Sequence, residues 1–293
     1  MMRPVYHHRR APASSAARDP ELVRALAGAI FAARAAGSVL RRHWHNRDFE
    51  IASKGRNNPV TSADLEANRT IAGLLRDAFP AYGWLSEETE DDKTRLQCSR
   101  VWIVDPLDGT KEFITGVPEF SVAIALARDG EPVLGVTYNP VRREMFWAAQ
   151  GLGCHLNRRR VHVSRTRTLR RATVLASRSE SARGEWQVFH GQVKVSPTGS
   201  VAYKLAMVAA GMGDATFTRL PKNEWDIASG AALIIEAGGC VTGLEGEPVR
   251  LNQPNVLLPG LIASNRLLYP KLARLARAAL HAAGARTLHR DST

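Results

Sequence analysis

The sequence predicts a mixed α/β protein of the α+β type. A long alanine-rich segment near the beginning has helix character, the middle of the chain holds apolar runs separated by short turns, and helix-like segments return in the last third. Short apolar runs joined by turn residues are typical of β-strands in a meander. The chain therefore combines helices with at least one sheet, which we expect to be largely antiparallel.

The first predicted elements are two helices. Asp19–Glu21 supplies an N-cap, a proline at the first helical position and an acidic first turn, so a helix is predicted from there to about His45. Thr61 or Ser62 caps a second helix, which Pro80 ends. The predicted apolar side of this helix consists of Leu65, Ile71, Leu74, Leu75 and Phe79.

A meander of strands follows the helices. The short apolar run Val101–Val104 is typical of a buried strand. Asp129-Gly130 and Asn139-Pro140 are turn signals between later runs. The further strands are predicted at Phe120–Ala127, Val133–Tyr138, Glu144–Ala148 and Leu152–Asn157.

The polar, arginine-rich stretch Arg158–Ala172 divides the chain. We place a domain junction there, with an N-terminal α+β metal-binding lobe at residues 19–165 and a C-terminal α/β lobe at residues 166–293. Residues 1–18 are interpreted as a disordered basic leader. The second lobe is predicted to contain strands at Thr173–Ser177, Val193–Val195 and Leu261–Ala263, and helices at Ser200–Ala210, Trp225–Ala237 and Leu267–Ala282.

Composition narrows the class of protein. The chain has 293 residues, of which 44% are hydrophobic, so it is not a disordered chain. No apolar run approaches the roughly 18 to 20 residues that cross a bilayer, and no secretory signal is recognisable. Cys98, Cys154 and Cys240 are scattered and fit neither a disulfide framework nor a zinc site. We therefore expect a reducing, cytoplasmic setting.

The formal net charge of +12 lies largely in the leader, in residues 158–171 and in the C-terminal helix. Basic surfaces attract nucleic acids, anionic lipids and phosphorylated metabolites. Because aromatic residues are not interleaved with the basic ones, we interpret this charge as a solvated surface and expect no dedicated nucleic-acid partner.

The stretch VWIVDPLDGTKEF carries the most chemical information. Its apolar strand delivers Asp105 at the end, and Asp108 follows three residues later, with the Leu107 carbonyl between them. Gly109 and Thr110 then open a short helix whose amide groups point outward and favour a phosphate. Taken alone, this pattern is equally typical of a simple turn.

Two further acidic sites favour a metal centre over a turn. Glu87-Glu88 follows a predicted strand, and Asp226 lies in the first turn of an apolar helix. Carboxylate and carbonyl oxygens suit Mg²⁺, and two neighbouring metal ions suit the cleavage of a phosphate ester.

These acidic motifs resemble those of the inositol monophosphatase superfamily. D-P-L-D-G-T at Asp105–Thr110 resembles its signature, and Glu87-Glu88 resembles its upstream acidic pair. Val60–Asp64 reads V-T-x-x-D, and Trp225–Gly230 followed by Glu236–Gly239 reads W-D-x-A-x-G…E-A-G-G. The resemblance implies a layered α-β-α-β-α sandwich of the inositol monophosphatase and fructose-1,6-bisphosphatase type, and a lithium-sensitive, magnesium-dependent phosphatase.

Within the superfamily, the chain resembles the 3′(2′),5′-bisphosphate nucleotidase, or CysQ-like, branch. Asp108–Phe113 reads D-G-T-K-E-F where inositol monophosphatases have D-G-T-x-N-F, and Asn223–Asp226 and Gly199-Ser200…Lys204 point to the same branch. The implied reaction removes the 3′-phosphate from adenosine 3′,5′-bisphosphate, or from its sulfated form, by metal-activated water.

The resemblance also assigns roles to residues. The implied metal ligands are Glu87, Asp105, the Leu107 carbonyl, Asp108 and Asp226. They would hold two Mg²⁺ ions and a third, weaker one through water at Glu87. Asp64 and Thr110 would orient and deprotonate the attacking water, with Glu87 as the third catalytic residue. The implied substrate-binding set is Glu87, Leu107, Asp108, Gly109, Thr110, Asp226, Ser200 and Lys204.

Several alternatives stay open at this point. Lys204 and Lys222 are candidates for binding a second phosphate, although we slightly favour an ordinary surface position for both. The same chemistry on an inositol or sugar phosphate is the nearest alternative function, and a basic RNA- or lipid-binding protein with an inactive phosphatase fold is a remote one. A homodimer, a loose association with the inner membrane and a role in sulfur metabolism follow from the resemblance alone.

Overall fold

The structure is a computed structural model that describes residues 19–55 and 59–288, with side chains described up to residue 278. The predicted leader, residues 1–18, lies outside the described residues. The first four elements are α1 (Pro20–Asn46), β1 (Ile51–Ser53), β2 (Pro59–Thr61) and α2 (Ser62–Ala78). The strands β1 and β2 form a small antiparallel pair.

Both N-terminal helices begin at their predicted caps. The Asp19 carboxylate accepts hydrogen bonds from the amides of the first turn of α1, and Thr61 forms a capping box with Asp64 at the start of α2. The prediction for Leu65 was wrong, because this side chain is 42% exposed. It lies about 100° around the helix from the neighbouring Asp64, whose side of α2 is buried.

The helix α1 is long and apolar enough to cross a membrane by length and composition, contrary to our expectation from the sequence. Half of its most apolar 18-residue window is buried inside the protein. Core helices and signal sequences pass the same test, so this property alone does not place the chain in a membrane.

The middle of the chain folds into a seven-stranded sheet. Its elements are β3 (Gly83–Ser86), β4 (Arg100–Asp108), α3 (Thr110–Thr115), β5 (Ser121–Arg128), β6 (Glu131–Asn139), β7 (Glu144–Ala149), β8 (Gly153–Leu156) and β9 (Arg159–Val161). The strands lie in chain order, and every neighbouring pair is antiparallel except β3 and β4. The predicted meander is therefore confirmed.

The described residues 162–288 form a second, five-stranded sheet and four α-helices. Their elements are β10 (Thr173–Ser177), α4 (Arg178–Ala182), β11 (Lys194–Thr198), α5 (Val201–Ala209), β12 (Ala215–Thr218), β13 (Lys222–Asn223), α6 (Glu224–Glu236), β14 (Gly239–Thr242), β15 (Leu257–Leu258), β16 (Leu261–Asn265) and α7 (Tyr269–Leu288). The sheet order is β11-β10-β12-β16-β14, and β13 pairs with β15 separately. The strands β12 and β14 were not predicted.

The elements stack into five layers, as the family resemblance implied. The first core lies between α1, α2 and one face of the seven-stranded sheet, and the second lies between the other face, α5, α6 and the five-stranded sheet. A third core lies between the five-stranded sheet and α7. Along β4, Trp102 and Val104 belong to the first core whereas Val101 and Ile103 belong to the second, which is the alternation of a strand buried on both faces.

Candidate active site

The signature stretch lies where β4 leaves its regular pairing with β5. Register is continuous up to Asp105 opposite Ala123, and it shifts before the next pair, Asp108 opposite Ser121. Pro106 has no amide hydrogen to donate, and the Leu107 amide donates to the Asp105 carboxylate at 3.0 Å instead. The irregularity leaves Pro106 and Leu107 outside the ladder, between the two aspartates that remain paired with β5.

A third aspartate reaches the same place from α6. Asp226 lies in the first turn of that helix and accepts a hydrogen bond from the Asn223 amide at 3.0 Å. Asp105, Asp108 and Asp226 each offer a carboxylate oxygen, and these oxygens lie within 4.8 Å of one another. The structure thus brings together three predicted metal ligands from two distant parts of the chain.

The electrostatics of this cluster suit a cation. Burial and the neighbouring carboxylates raise the pKa of Asp105 well above its ordinary value, and burial raises that of Asp108 although Ser200 and two amides stabilise its charge. Burial and Asp108 raise the pKa of Asp226 to about 7. Crowded, buried oxygen donors of this kind fit Mg²⁺ because the ion neutralises their mutual repulsion.

Glu87 lies beside this cluster, just after β3. Its amide donates to the Val104 carbonyl of β4 at 3.2 Å. Burial raises the pKa of Glu87 to about 7, and Lys54, whose ammonium lies 3.4 Å from it, opposes that shift. The same ammonium lies 2.5 Å from Glu88, so it contacts both acids of the pair that the sequence singled out and offsets part of their charge.

Asp64 and Thr110 form a hydrogen-bonded pair. The Thr110 hydroxyl lies 3.1 Å from Asp64 Oδ1 and 3.2 Å from the Leu107 carbonyl. Asp64 Oδ2 accepts hydrogen bonds from the amide and hydroxyl of Thr61. Burial is the largest influence on Asp64 and raises its pKa to about 6, although these hydrogen bonds oppose the shift. A carboxylate with this pKa can accept a proton near neutral pH.

Gly109 allows the chain to turn from β4 into α3. Its φ is +98°, and a Cβ at this position would lie 3.0 Å from the Glu119 carbonyl and 3.2 Å from Phe120. A residue with a side chain would therefore be strained and crowded here. The glycine keeps Asp108 and Thr110, on either side of it, in their positions.

These groups line a cavity of about 280 Å³. Every predicted site residue except Asp64 lines it, and Asp64 lies behind Thr110. The lining residues from the predicted set are Glu87, Asp105, Leu107, Asp108, Gly109, Thr110, Ser200, Lys204 and Asp226. The sequence analysis did not single out Glu112, Ser177 or Thr198, which also line the cavity. Glu112 entered it only as part of the D-G-T-K-E-F motif, and no chemical argument marked it as a site residue.

The wall formed by the start of α5 contributes both a fixed turn and a buried cation. Ser200 has a φ of +59°, and its hydroxyl and the Ala202 amide donate to Asp108 at 2.5 and 2.6 Å. Lys204 is only 6% exposed, so the surface position that we favoured is wrong. Burial lowers the pKa of Lys204 to about 8, while Glu180 opposes that shift. Lys222 lines the same cavity and is partly exposed.

Comparison with known proteins places this site in a family. The model of the inositol monophosphatase family matches residues 21–281. An inositol-1-monophosphatase of Caulobacter vibrioides is 37% identical over 265 residues, which cover 85% of this chain and 100% of that protein.

Two solved structures agree with the fold. The extragenic suppressor protein suhB of Bartonella henselae superposes with a TM-score of 0.76 at 33% identity, covering 86% of this chain and 98% of that one. CysQ of Bacteroides thetaiotaomicron, a bacterial member of the same family, has a TM-score of 0.69 at 29% identity, with 84% and 98% covered.

Proposed function

Because the chain belongs to the inositol monophosphatase family of phosphatases, we propose that it removes the 3′-phosphate from adenosine 3′,5′-bisphosphate or from its sulfated form. The observation that carries this choice is Lys204, a buried ammonium group in the wall of the cavity. A substrate with two phosphates needs a cation besides the metal ions, whereas an inositol monophosphate has no second phosphate to neutralise.

Magnesium, when bound at Glu87, Asp105, Asp108, Asp226 and the Leu107 carbonyl, supplies positive charge next to the transferring phosphoryl group. The chain's own contribution is to place a proton acceptor beside it. Donation by the Thr110 hydroxyl to Asp64 leaves the hydroxyl oxygen free to accept a hydrogen bond from water. The proton lost by the attacking water then passes through Thr110 Oγ to Asp64 Oδ1.

The second phosphate would lie against Lys204 and Lys222. Among the described residues, the Lys204 ammonium forms no hydrogen bond or ion pair, and Glu180, Asp108 and Glu112 are the carboxylates that influence it most. An ammonium that lacks a direct partner in a buried wall is costly unless an anion joins it. Binding of a second phosphate would supply that anion and keep the lysine protonated.

The nearest alternative is an inositol monophosphatase, and one observation favours it. The Caulobacter vibrioides relative that is 37% identical to this chain carries that name. The two functions share the metal cluster and the proton acceptor, so they differ in the groups that bind the rest of the substrate. We expect Lys204 to distinguish the two functions, because it would bind a second phosphate that an inositol monophosphate does not have.

The decisive experiment compares phosphate release from adenosine 3′,5′-bisphosphate and from inositol 1-phosphate, with and without Mg²⁺. We expect magnesium-dependent turnover that favours the bisphosphate. Lys204→Met should lower kcat/KM for the bisphosphate by about tenfold or more, because one charge-assisted contact to a phosphate is lost. Lys194→Met, which removes an exposed lysine of β11, is the control. Equal or better rates on inositol 1-phosphate would reverse the choice of substrate.

We also propose that the reaction takes place in the cytoplasm, as a step that clears a by-product of sulfate assimilation. All three cysteines are free in the structure, which is typical of proteins in a reducing compartment.

A further inference from the structure

Glu119 is a nearly buried carboxylate in the connection between α3 and β5. Only 9% of the residue is exposed. Its Oε2 accepts hydrogen bonds from Arg178 Nε at 2.6 Å and from the Gly199 amide at 2.8 Å, and its Oε1 accepts one from Arg178 Nη2 at 2.9 Å. Arg142 lies farther away, at 3.8 Å. One side chain thus holds two separate segments of the second half of the chain.

Both of these segments line the cavity. Arg178 is the first residue of α4, and Gly199 precedes Ser200, whose hydroxyl donates to Asp108. Glu119 itself is not among the lining residues. It therefore acts on the cavity through the groups that it holds and not by direct contact with a bound molecule.

The contact with Glu119 leaves part of the Arg178 guanidinium group free to bind another anion. Arginine presents its donors in a rigid planar fork. Glu119 occupies the edge formed by Nε and Nη2, and among the described residues the Nη1 donors have no hydrogen-bond partner. The carboxylates that influence Arg178 most are Glu119 and Glu112, and not the three clustered aspartates.

We propose that Glu119 is a positioning residue, which fixes Arg178 so that its free edge binds the substrate phosphate that is not hydrolysed. This inference rests on the proposed function, because only a bisphosphorylated substrate carries that group. Arg178 would then complete a cationic wall with Lys204 and Lys222. Glu112 also influences Arg178, but among the described residues no hydrogen bond joins the two side chains, so this carboxylate leaves the arginine available to the phosphate.

A purely stabilising role for the pair would look different. The Arg178 side chain is 41% exposed, and ion pairs with one exposed partner add little to stability. Burial tends to raise the pKa of Glu119, but the bonds from Arg178 and Gly199 outweigh it and keep the pKa below its ordinary value. Glu119 is therefore charged at neutral pH and available to orient the arginine.

The test compares two substrates that differ in one group, adenosine 3′,5′-bisphosphate and adenosine 3′-monophosphate. Glu119→Gln should lower the preference for the bisphosphate, measured as the ratio of kcat/KM values, by about tenfold, and KM for the bisphosphate should change more than kcat. Arg178→Met should lower the ratio by a similar factor, and the double variant should add little to either single one. Glu131→Gln, which breaks the surface pair with Arg250, is the matched control and should leave the ratio unchanged.

Each outcome has a definite meaning. If the wild-type protein treats the two substrates alike, the proposed function fails and this inference fails with it. If the wild type prefers the bisphosphate and Glu119→Gln keeps that preference, only the inference is overturned. A loss of kcat by the same factor for both substrates would also overturn it, since that result indicates a structural role. Should Glu119→Gln not fold, Arg178→Met still tests whether the positioned arginine binds the second phosphate, and an unchanged ratio there would overturn the inference.

Discussion

Asp64 and Thr110 together set an expected pH dependence. The proton acceptor must be deprotonated to act, and burial raises the pKa of Asp64 to about 6. Bound Mg²⁺ would lower this pKa, so at saturating Mg²⁺ kcat/KM should rise with pH through a limb centred below pH 6. It should fall again near pH 8, where free Lys204 loses its proton. Steady-state rates between pH 4 and pH 9 would measure both limbs.

Thr110→Val is the sharpest variant for this pair. Valine keeps the shape of threonine but removes the hydroxyl that lies 3.1 Å from Asp64, so we expect kcat to fall by about 10² or more. Thr115→Val is the matched control, because its hydroxyl bonds only to helix carbonyls of α3. Activity close to wild type in Thr110→Val would show that the proton takes another route.

At the scale of single residues, the sequence predicts the acidic residues of the site better than the basic ones. The four acidic motifs could be found because each is a short local pattern, and the structure brings Asp105, Asp108 and Asp226 together. The burial of Lys204 could not be read in this way, since it depends on how α5 packs between two sheets. Glu119 escaped notice for a similar reason, because its partners are 59 and 80 residues away.

At the scale of elements, α6 is placed by its contact with β6. Gly135 lies against the backbone of α6, and a Cβ there would lie 2.2 Å from the Ser229 carbonyl oxygen. The hydroxyl groups of Thr137 and Ser229 are 3.0 Å apart beside it. Since α6 carries Asp226 in its first turn, this close approach fixes the third aspartate relative to β4.

Gly135→Ala should therefore affect both stability and metal binding. Backbone cannot move aside as a flexible side chain does, so we expect a loss of about 1–3 kcal/mol in the free energy of unfolding and a weaker affinity for Mg²⁺. Urea unfolding and a magnesium titration would measure the two effects. Gly73→Ala is the control, because its position in α2 is exposed and open. That change should stabilise the protein by roughly 0.5–1 kcal/mol. A neutral Gly135→Ala would contradict the packing role.

Most elements could be predicted because their patterns are local. The caps of α1 and α2, the strand β10 and the meander from β5 to β8 follow from N-cap residues, apolar runs and turn residues. The strands β12 and β14 are four residues long, and both are buried, so neither shows alternation. Their strand character comes from pairing with β16, which lies far along the chain.

At the scale of the whole molecule, the acidic centre joins parts of the chain that belong to different layers. Asp105 and Asp108 come from the seven-stranded sheet, Asp226 comes from the helix layer beneath it, and Glu87 follows an edge strand. Without a cation, these layers hold several carboxylates close together in a buried place. Metal binding and folding stability are therefore linked.

The sign of this linkage follows from the raised pKa values. Burial raises the pKa of Glu87 and of Asp226 to about 7, so the folded protein binds more protons than the unfolded chain between about pH 4 and pH 7. The metal-free protein should therefore lose stability as pH rises through that window. His43 acts in the same direction: burial lowers its pKa, but bonds to Glu66 and Asp48 outweigh this and raise it, so its contribution also fades with rising pH. The contribution of the metal-binding carboxylates is therefore measured by the change in stability that Mg²⁺ causes at each pH.

Mg²⁺ should raise the melting temperature more at pH 8 than at pH 5.5. At a concentration of about 100 times its Kd, the ion adds about 2.7 kcal/mol of stability, or roughly 4–5 °C for a chain of 293 residues. At pH 5.5 protons compete for the same oxygens, so the gain should be smaller. Thermal melts at matched ionic strength would measure both values.

Asp105→Asn should remove most of the gain at pH 8 and flatten the metal-free pH dependence, because it removes the carboxylate that lies among Glu87, Asp108 and Asp226. An equal gain at both pH values would mean that Mg²⁺ binds somewhere other than this centre.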